Sequence, residues 1–351
     1  HYKVRYKQLG FAEFNRHEVQ KNRRKNIFDK NERRFRTDDR RRYVFGRRIV
    51  KNKKTLKSGT GTQKRRFRTA PIKLCVKERE MKYLVAVDME GVNYVVGEPY
   101  KSLHKGCGQY DVAVCEATKE LNVIISALYD SGAEQVYVWD NHSVGHNLDF
   151  KNVDPRAKDV GLDNSAIERM NFTDSLEIDG VIFLGYHSKE GTLNGVLAHT
   201  YSSESIQYFK IANKAVGEFF IDSNIALFKN IPVLMLVSDD VCLREITDVS
   251  DDIVTVATKR AKGRNAADFR GEDLYKELYD KTIKALSEAK KMRYKKLVFP
   301  VSLEIRYTRT EKAAAVKQAV KAKYGIDCKF GEDCHILKTT ARKIEDIKVF
   351  L

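Results

Sequence analysis

The stretch VAVDMEG, residues 85–91, decides the reading of this chain. Its Val-Ala-Val run has the character of a parallel strand buried on both faces, where apolar residues follow one another without alternation. The run ends on two carboxylates one residue apart, Asp88 and Glu90, beside Gly91. Ligands in open α/β sheets bind at the carboxyl ends of such strands. Asp and Gly are also ordinary turn residues, so the spacing leaves two readings open: a strand-to-loop turn, or half of a metal site.

Outward from this stretch the pattern repeats. QVYVWD, 135–140, reads as a second strand ending in Asp140, with His142 just beyond; GVIFLGY, 180–186, reads as a third and is followed by His187. A small-residue loop, 191–195, then leads to His199. Tyr208 to Val216 reads as a hairpin turning at Asn213-Lys214, with Glu218 just beyond it. Between the first two strands, Val114, Ala117, Leu121, Ile124, Ile125 and Leu128 fall at helical spacing within 112–130, and Gly132 follows as a stop signal. Further elements are expected as a helix at 218–229, strands at 231–238 and 253–258, and a long helix at about 267–290.

A strand at 297–307, a helix at 310–324 capped by Thr310, a hairpin at about 328–338 and a terminal helix at 340–350 complete the chain. Strands alternating with helices predict an α/β fold, a mixed and mostly parallel sheet flanked by helices with a smaller C-terminal α/β subdomain. The expected division is a basic extension at 1–80, a metal-binding domain at 81–296 and the subdomain at 297–351.

Composition narrows the classes. The 351 residues include 42% hydrophobic and 32% charged side chains, which suits a folded, water-soluble chain. No apolar run approaches the roughly 20 residues a membrane helix needs. The six cysteines, at 75, 107, 115, 242, 328 and 334, form no CxxC pair, which favours reduced thiols and a cytoplasmic location. Cys328, Cys334 and His335 have the makings of a metal half-site, although a turn at Gly331 explains them more simply. SGTGTQK, 58–64, has no helix after it and does not make a phosphate loop.

The formal charge of +17 is unevenly placed: residues 1–80 hold 28 Lys/Arg against 8 Asp/Glu, and the remainder holds 37 against 40. The basic segment lacks apolar periodicity, so disorder is the expectation for it. Two readings compete there. Arg interleaved with Tyr and Phe suits an arm for nucleic acid or an anionic membrane surface. Alternatively the natural start is Met81, and the preceding Lys-Glu-Arg-Glu run marks upstream sequence translated in frame.

Three strand ends thus carry candidate ligands. If the strands are neighbours and parallel, Asp88, Glu90, His142, His187, His199 and Glu218 converge at one edge of the sheet. Carboxylates mixed with imidazoles suit Zn²⁺, Mn²⁺ or Co²⁺, and Asp88 is the natural bridge between two ions. Asp140 is expected either to orient His142 or to serve as a strand-end turn residue.

VDMEG (87–91), DNHS (140–143), GYHS (185–188), GVLAHT (195–200) and VGE (216–218) together resemble the ordered motifs of the D-aminopeptidase DppA family, the M55 metallopeptidases. The resemblance covers essentially 81–351, while the loops 92–112 and 189–195 depart from the family. It implies Asp88, Glu90, His142, His187 and Glu218 as ligands of two zinc ions per subunit, and His199 as the catalytic histidine. It further implies a ring-shaped decamer with an enclosed cavity, acting on the amino-terminal D-residues of short peptides. Two rivals stand beside it: a metal-dependent amidase of a small metabolite, and a nucleic-acid-binding protein acting through the basic arm.

Overall fold

Apolar strands and amphipathic helices alternate along the chain as the periodicity requires. The structure, a computed structural model, describes residues 80–99, 101–161 and 168–351. The expectations for the basic extension therefore lie outside the described residues, Glu80 excepted. In chain order the elements are β1 (Met81–Val87), α1 (Tyr110–Asp130), β2 (Ala133–Asp140), β3 (Lys158–Asp159), β4 (Gly180–Leu184), β5 (Ile206–Ile211), β6 (Lys214–Ala215) and α2 (Glu218–Phe228). They continue with β7 (Val233–Ser238), β8 (Val254–Ala257), β9 (Lys259–Gly263), β10 (Ala266–Phe269) and α3 (Asp273–Glu288). The last are β11 (Val301–Tyr307), α4 (Thr310–Tyr324), β12 (Lys329–Phe330), β13 (Ile336–Ala341) and α5 (Glu345–Lys348).

Six strands form a sheet in the order β3-β2-β1-β4-β7-β8, and every pair in it is parallel. The side chains of β1 feed two cores in turn. Leu84 and Ala86 pack with Phe183, Phe219 and Ile225 on one face; Tyr83, Val85 and Val87 pack with Leu121, Ile125 and Leu278 on the other. Helices α1 and α3 cover the second face. Helix α2 is buried from Glu218 to Leu227, because it lies between the parallel sheet and a second sheet rather than between a sheet and water.

The second sheet is antiparallel, in the order β12-β13-β11-β5-β6. Its composition joins the C-terminal strands to β5 and β6 from the middle of the chain, with Leu303 opposite Ile211. Strand β11 alternates buried and more exposed residues, as expected of a sheet with one face on the core.

Several local expectations are corrected. The turn of the β5–β6 hairpin falls at Ala212-Asn213, both with positive φ (50° and 66°), one residue before the predicted position. The long helix begins at Asp273, because 266–269 pairs with 259–263 in a two-stranded antiparallel sheet. Thr310 is the first helical residue of α4; Arg309 occupies the cap position, and no side chain caps that end. Strand β13 takes up 336–341, leaving the terminal helix only 345–348. The described cysteines, 107, 115, 242, 328 and 334, are all free.

Candidate metal centre

From β1 the chain runs outward through β2 to β3, then crosses to the other side of β1 as β4, β7 and β8. The helices that follow β1 and β4 lie on opposite faces of the sheet, α1 on one and α2 on the other, and the candidate side chains lie at the carboxyl edge of this switch in strand order. Two glycines let the loops after β1 and β4 approach. A Cβ on Gly91 would lie 2.0 Å from the Tyr186 carbonyl oxygen, and one on Gly185 would lie 2.0 Å from that of Asp88. Gly185 also has φ +76°, which other residues adopt at a cost. The Gly91 amide donates to the Gly185 carbonyl at 2.7 Å and the Asp88 amide to the Leu184 carbonyl at 2.8 Å, locking one loop on the other.

The six candidate side chains meet at this edge, and all are buried. Nδ1 of His142 lies 2.9 Å from Asp88 Oδ1 and 3.2 Å from Glu90 Oε2. Its Nε2 sits 3.2 Å from the Leu103 carbonyl. A carbonyl accepts only, so Nε2 carries a proton; Nδ1 donates to the carboxylates while it too is protonated, and on losing that proton is the nitrogen that would face a cation. His187 is arranged the other way. Its Nδ1 meets the Ser188 carbonyl at 3.1 Å, which leaves Nε2 facing Glu218 Oε1 at 3.2 Å and Asp88 Oδ2 at 3.6 Å. His187 Nε2 is buried without a hydrogen-bond partner. His199 stacks on His187, with ring centroids 3.9 Å apart and planes 10° from parallel. Its Nδ1 meets the Leu197 carbonyl at 2.8 Å, and its Nε2 lies 3.8 Å from Glu218 Oε1.

Ligand atoms group in three sets, each within 4.8 Å of one another: Asp88, Glu90 and His142; Asp88, His187 and Glu218; Glu90, His187 and His199. Asp88 belongs to two of them. Their shared cavity, of about 100 Å³, is lined by no Lys or Arg among the described residues. Three buried carboxylates and three imidazoles, one with an orphaned Nε2, are a donor set that fits a cation such as zinc.

The proton affinities express the same crowding. Burial and the neighbouring Glu90 push the Asp88 carboxyl up to about 8, against the pull of His142 and His187. Burial would raise Glu218 as well, but the charge of His187, 3.2 Å away, holds it down at about 2. His187 is carried to about 10 because Glu218, Glu90 and Asp88 outweigh its burial. His199 moves the opposite way, down to about 4, through burial and the charge of His187. Without a cation, protons on Asp88, His142 and His187 offset the buried negative charge; metal binding would exchange such protons for the ion.

Asp140 does not orient the His142 ring. It accepts from the amides of Asn147 and Leu148, at 2.5 and 2.9 Å, and so shapes the 141–148 loop. Asn147 in turn donates to the His142 carbonyl at 2.7 Å. Other contributors were missed in the sequence. Arg169 makes a bidentate pair with Asp222 at 2.6 and 2.7 Å, and Tyr186 donates to the same carboxylate at 2.8 Å. Asp222 lies one turn after Glu218, so this network anchors the helix that presents a ligand candidate. The i, i+4 spacing of Glu218 and Asp222 was a readable signal; Arg169, far off in sequence, was not. His104 and Ser203 also line the cavity. The Cys328, Cys334 and His335 set contributes to none of the three groups among the described residues.

The family model described as Peptidase M55, D-aminopeptidase, matches residues 81–327. A D-aminopeptidase from Bacillus subtilis (strain 168) is 29% identical over 186 residues, which are 53% of this chain and 66% of that protein, just under two thirds of its length. Among solved structures, the fold is similar to the one described as a Zn-dependent D-aminopeptidase DppA from Bacillus subtilis, a self-compartmentalizing protease. The TM-score is 0.67 at 24% identity, over 76% of this chain and 94% of the other.

Proposed function

On the premise that the chain belongs to the M55 peptidase family of D-aminopeptidases, we propose that it is a zinc-dependent aminopeptidase releasing amino-terminal D-residues from short peptides. The observation that carries this reading is the convergence of Asp88, Glu90, His142, His187, His199 and Glu218 in one buried cavity. Asp88, Glu90 and His142 would hold one ion; Asp88, His187 and Glu218 the other, with Asp88 as the bridge. Zinc held there supplies a water of lowered pKa and a Lewis acid for the scissile carbonyl; Mn²⁺ or Co²⁺ suits the same donors.

His199 is assigned the catalytic role. Its Nδ1 is tied to the Leu197 carbonyl, so Nε2 faces the cavity as a lone pair. Burial keeps it neutral at pH 7, the state needed in a base or nucleophile. Glu90 and Glu218 offer negative charge to a free substrate amine, which accounts for aminopeptidase rather than endopeptidase action. The cavity at the ligands takes a small residue. A second cavity of about 370 Å³ shares Ser143 and Tyr201 with it, is walled by Val316 and Phe350, and carries the Lys312 cation. The leaving portion of a peptide fits there, with its carboxylate toward Lys312, and this favours a peptide over a small amide metabolite.

A homo-oligomer is part of the proposal, a decamer by family resemblance. Val144 and Leu193, 77% and 84% exposed, place apolar side chains on the loops beside the site. The deciding experiment is a screen of D- and L-aminoacyl amides and dipeptides with and without Zn²⁺, beside elemental analysis and light scattering of the purified protein. Cleavage confined to D-residues, dependent on zinc, is expected; absence of both bound metal and cleavage would overturn the reading.

A further inference from the structure

The β9–β10 hairpin touches two loops of the metal centre at once. At its base, buried Lys259 donates from Nζ to the carbonyls of Glu90, Val92 and Val95, at 2.6, 2.7 and 2.6 Å. An ammonium has three hydrogens, and all three are used. Thr258 donates to the Gly91 carbonyl at 2.5 Å. On the other strand of the same base, where Phe269 pairs with Lys259, the Arg270 amide donates to Asn93 Oδ1 at 3.1 Å, and Asn93 Nδ2 returns a bond to the Arg270 carbonyl at 2.9 Å. The loop that presents Glu90 is therefore fastened along its length to this hairpin.

The hairpin tip holds the His199 loop. Leu197 donates its amide to the Arg264 carbonyl at 2.8 Å, and Arg264 Nη2 donates to the Ala198 carbonyl at 3.1 Å. The same guanidinium lies 3.3 Å from Glu190. Leu197 has φ +51°, a left-handed conformation unusual for a side chain of its kind. Such conformations are costly and persist only where the surroundings over-determine them. The Leu197 carbonyl is the group that meets Nδ1 of His199, so the posture of this residue is passed directly to the imidazole.

We propose that the β9–β10 hairpin is the positioning element of the site: Lys259 fixes the loop presenting Glu90, and Arg264 fixes the loop presenting His199. The hairpin thereby sets the distance between a metal ligand and the catalytic imidazole. This rests on the metal-centre reading above, so its test includes zinc binding, which does not depend on turnover.

Zinc affinity is measured by competition with a chromophoric chelator, and kcat and KM on a D-alanyl dipeptide. Lys259→Met is expected to weaken zinc about 10- to 100-fold, the range for partners that orient ligands. Arg264→Ala, whose side chain is 46% exposed, should fold as the parent does. It should keep zinc affinity within about threefold and lose about tenfold in kcat at unchanged KM, with Arg264→Lys regaining most of the loss. A merely structural arginine would lower the melting temperature and leave kcat alone. Full kcat in Arg264→Ala overturns the proposal even if Lys259→Met does not fold, and so does parental zinc affinity in a folded Lys259→Met. A parent chain that binds zinc but cleaves nothing defeats the peptidase reading alone, and the Lys259 measurement then decides for the hairpin. A parent chain that binds no zinc defeats both.

Discussion

Strand β1 buries five residues in succession, whereas β11 alternates along its length between the core and a more exposed face. The two sheets handle charge differently as a result. At the end of β1, Asp88 and Glu90 are 3% and 2% exposed and meet imidazoles. On the outer face of the antiparallel sheet, Glu304 meets Lys210 at 2.9 Å and Lys338 at 3.2 Å across neighbouring strands, within reach of water. Buried charge is costly unless something compensates it, so only the first arrangement creates a demand for a cation. The candidate metal centre lies at the edge of the parallel sheet, and the charges of the antiparallel one are met on its surface.

Five substitutions test that contrast. Asp88→Ala removes one of the side chains shared by two ligand groups; loss of zinc by elemental analysis, together with loss of measurable cleavage, is expected. Retained metal and activity would mean that the crowded carboxylates do not hold an ion. His199→Ala should leave metal content near the parent's and lower kcat about 10²- to 10⁴-fold, the scale of a lost proton-transfer group.

Asp222→Ala moves from chemistry to stability. It strands the buried Arg169 guanidinium, and a cost of about 3–5 kcal/mol in denaturant unfolding is expected. Lys312→Met sharpens the assignment of the second cavity: KM for a dipeptide should rise about tenfold, the cost of one charged hydrogen bond, while an aminoacyl amide without a carboxylate is unaffected. Equal effects on both substrates would remove Lys312 from recognition.

The smallest effect belongs to the antiparallel sheet. Glu304→Gln should cost under about 1 kcal/mol, as solvent-reached ion pairs do, with kcat unchanged. Hydrogen bonds from Lys210, Tyr208 and Lys338 hold the Glu304 carboxyl at about 2, against the opposing effect of burial. A depressed folded value means that its contribution is present above the ordinary carboxylate range near 4.5 and lost as pH falls toward 2. Unfolding curves of Glu304→Gln and the parent should therefore converge in acid. If Glu304→Gln proves as costly as Asp222→Ala, the contrast between the sheets is broken.

Much of the site was legible because each piece is local. A continuous apolar run followed by Asp88 and Glu90 marks the exit of a buried strand, and the same reasoning found His142 and His187. The glycines at 91 and 185 stood in the quoted motifs, although the close approach that requires them is visible only when the two loops meet. The β9–β10 hairpin was missed because Lys259 to Phe269 is too polar to alternate clearly, and its last residues continue into the helical pattern of α3. The Gly263-Arg264-Asn265 turn was the available signal. Asp140 was half legible: its strand-end position was plain, but its hydrogen bonds to Asn147 and Leu148 depend on how the loop closes.

By itself the sequence determined most of the strands and helices, which strand ends carry ligand-type side chains, and that the body from 81 onward resembles one family of peptidases. Those are properties of neighbours along the chain, written in periodicity and short motifs. Tertiary structure alone decided that β5 pairs with β11 nearly a hundred residues later, that His199 stacks on His187, and that Lys259 reaches three carbonyls of another loop. Pairings of this kind are set by which surfaces bury each other once the chain has closed on itself, and no local pattern encodes them.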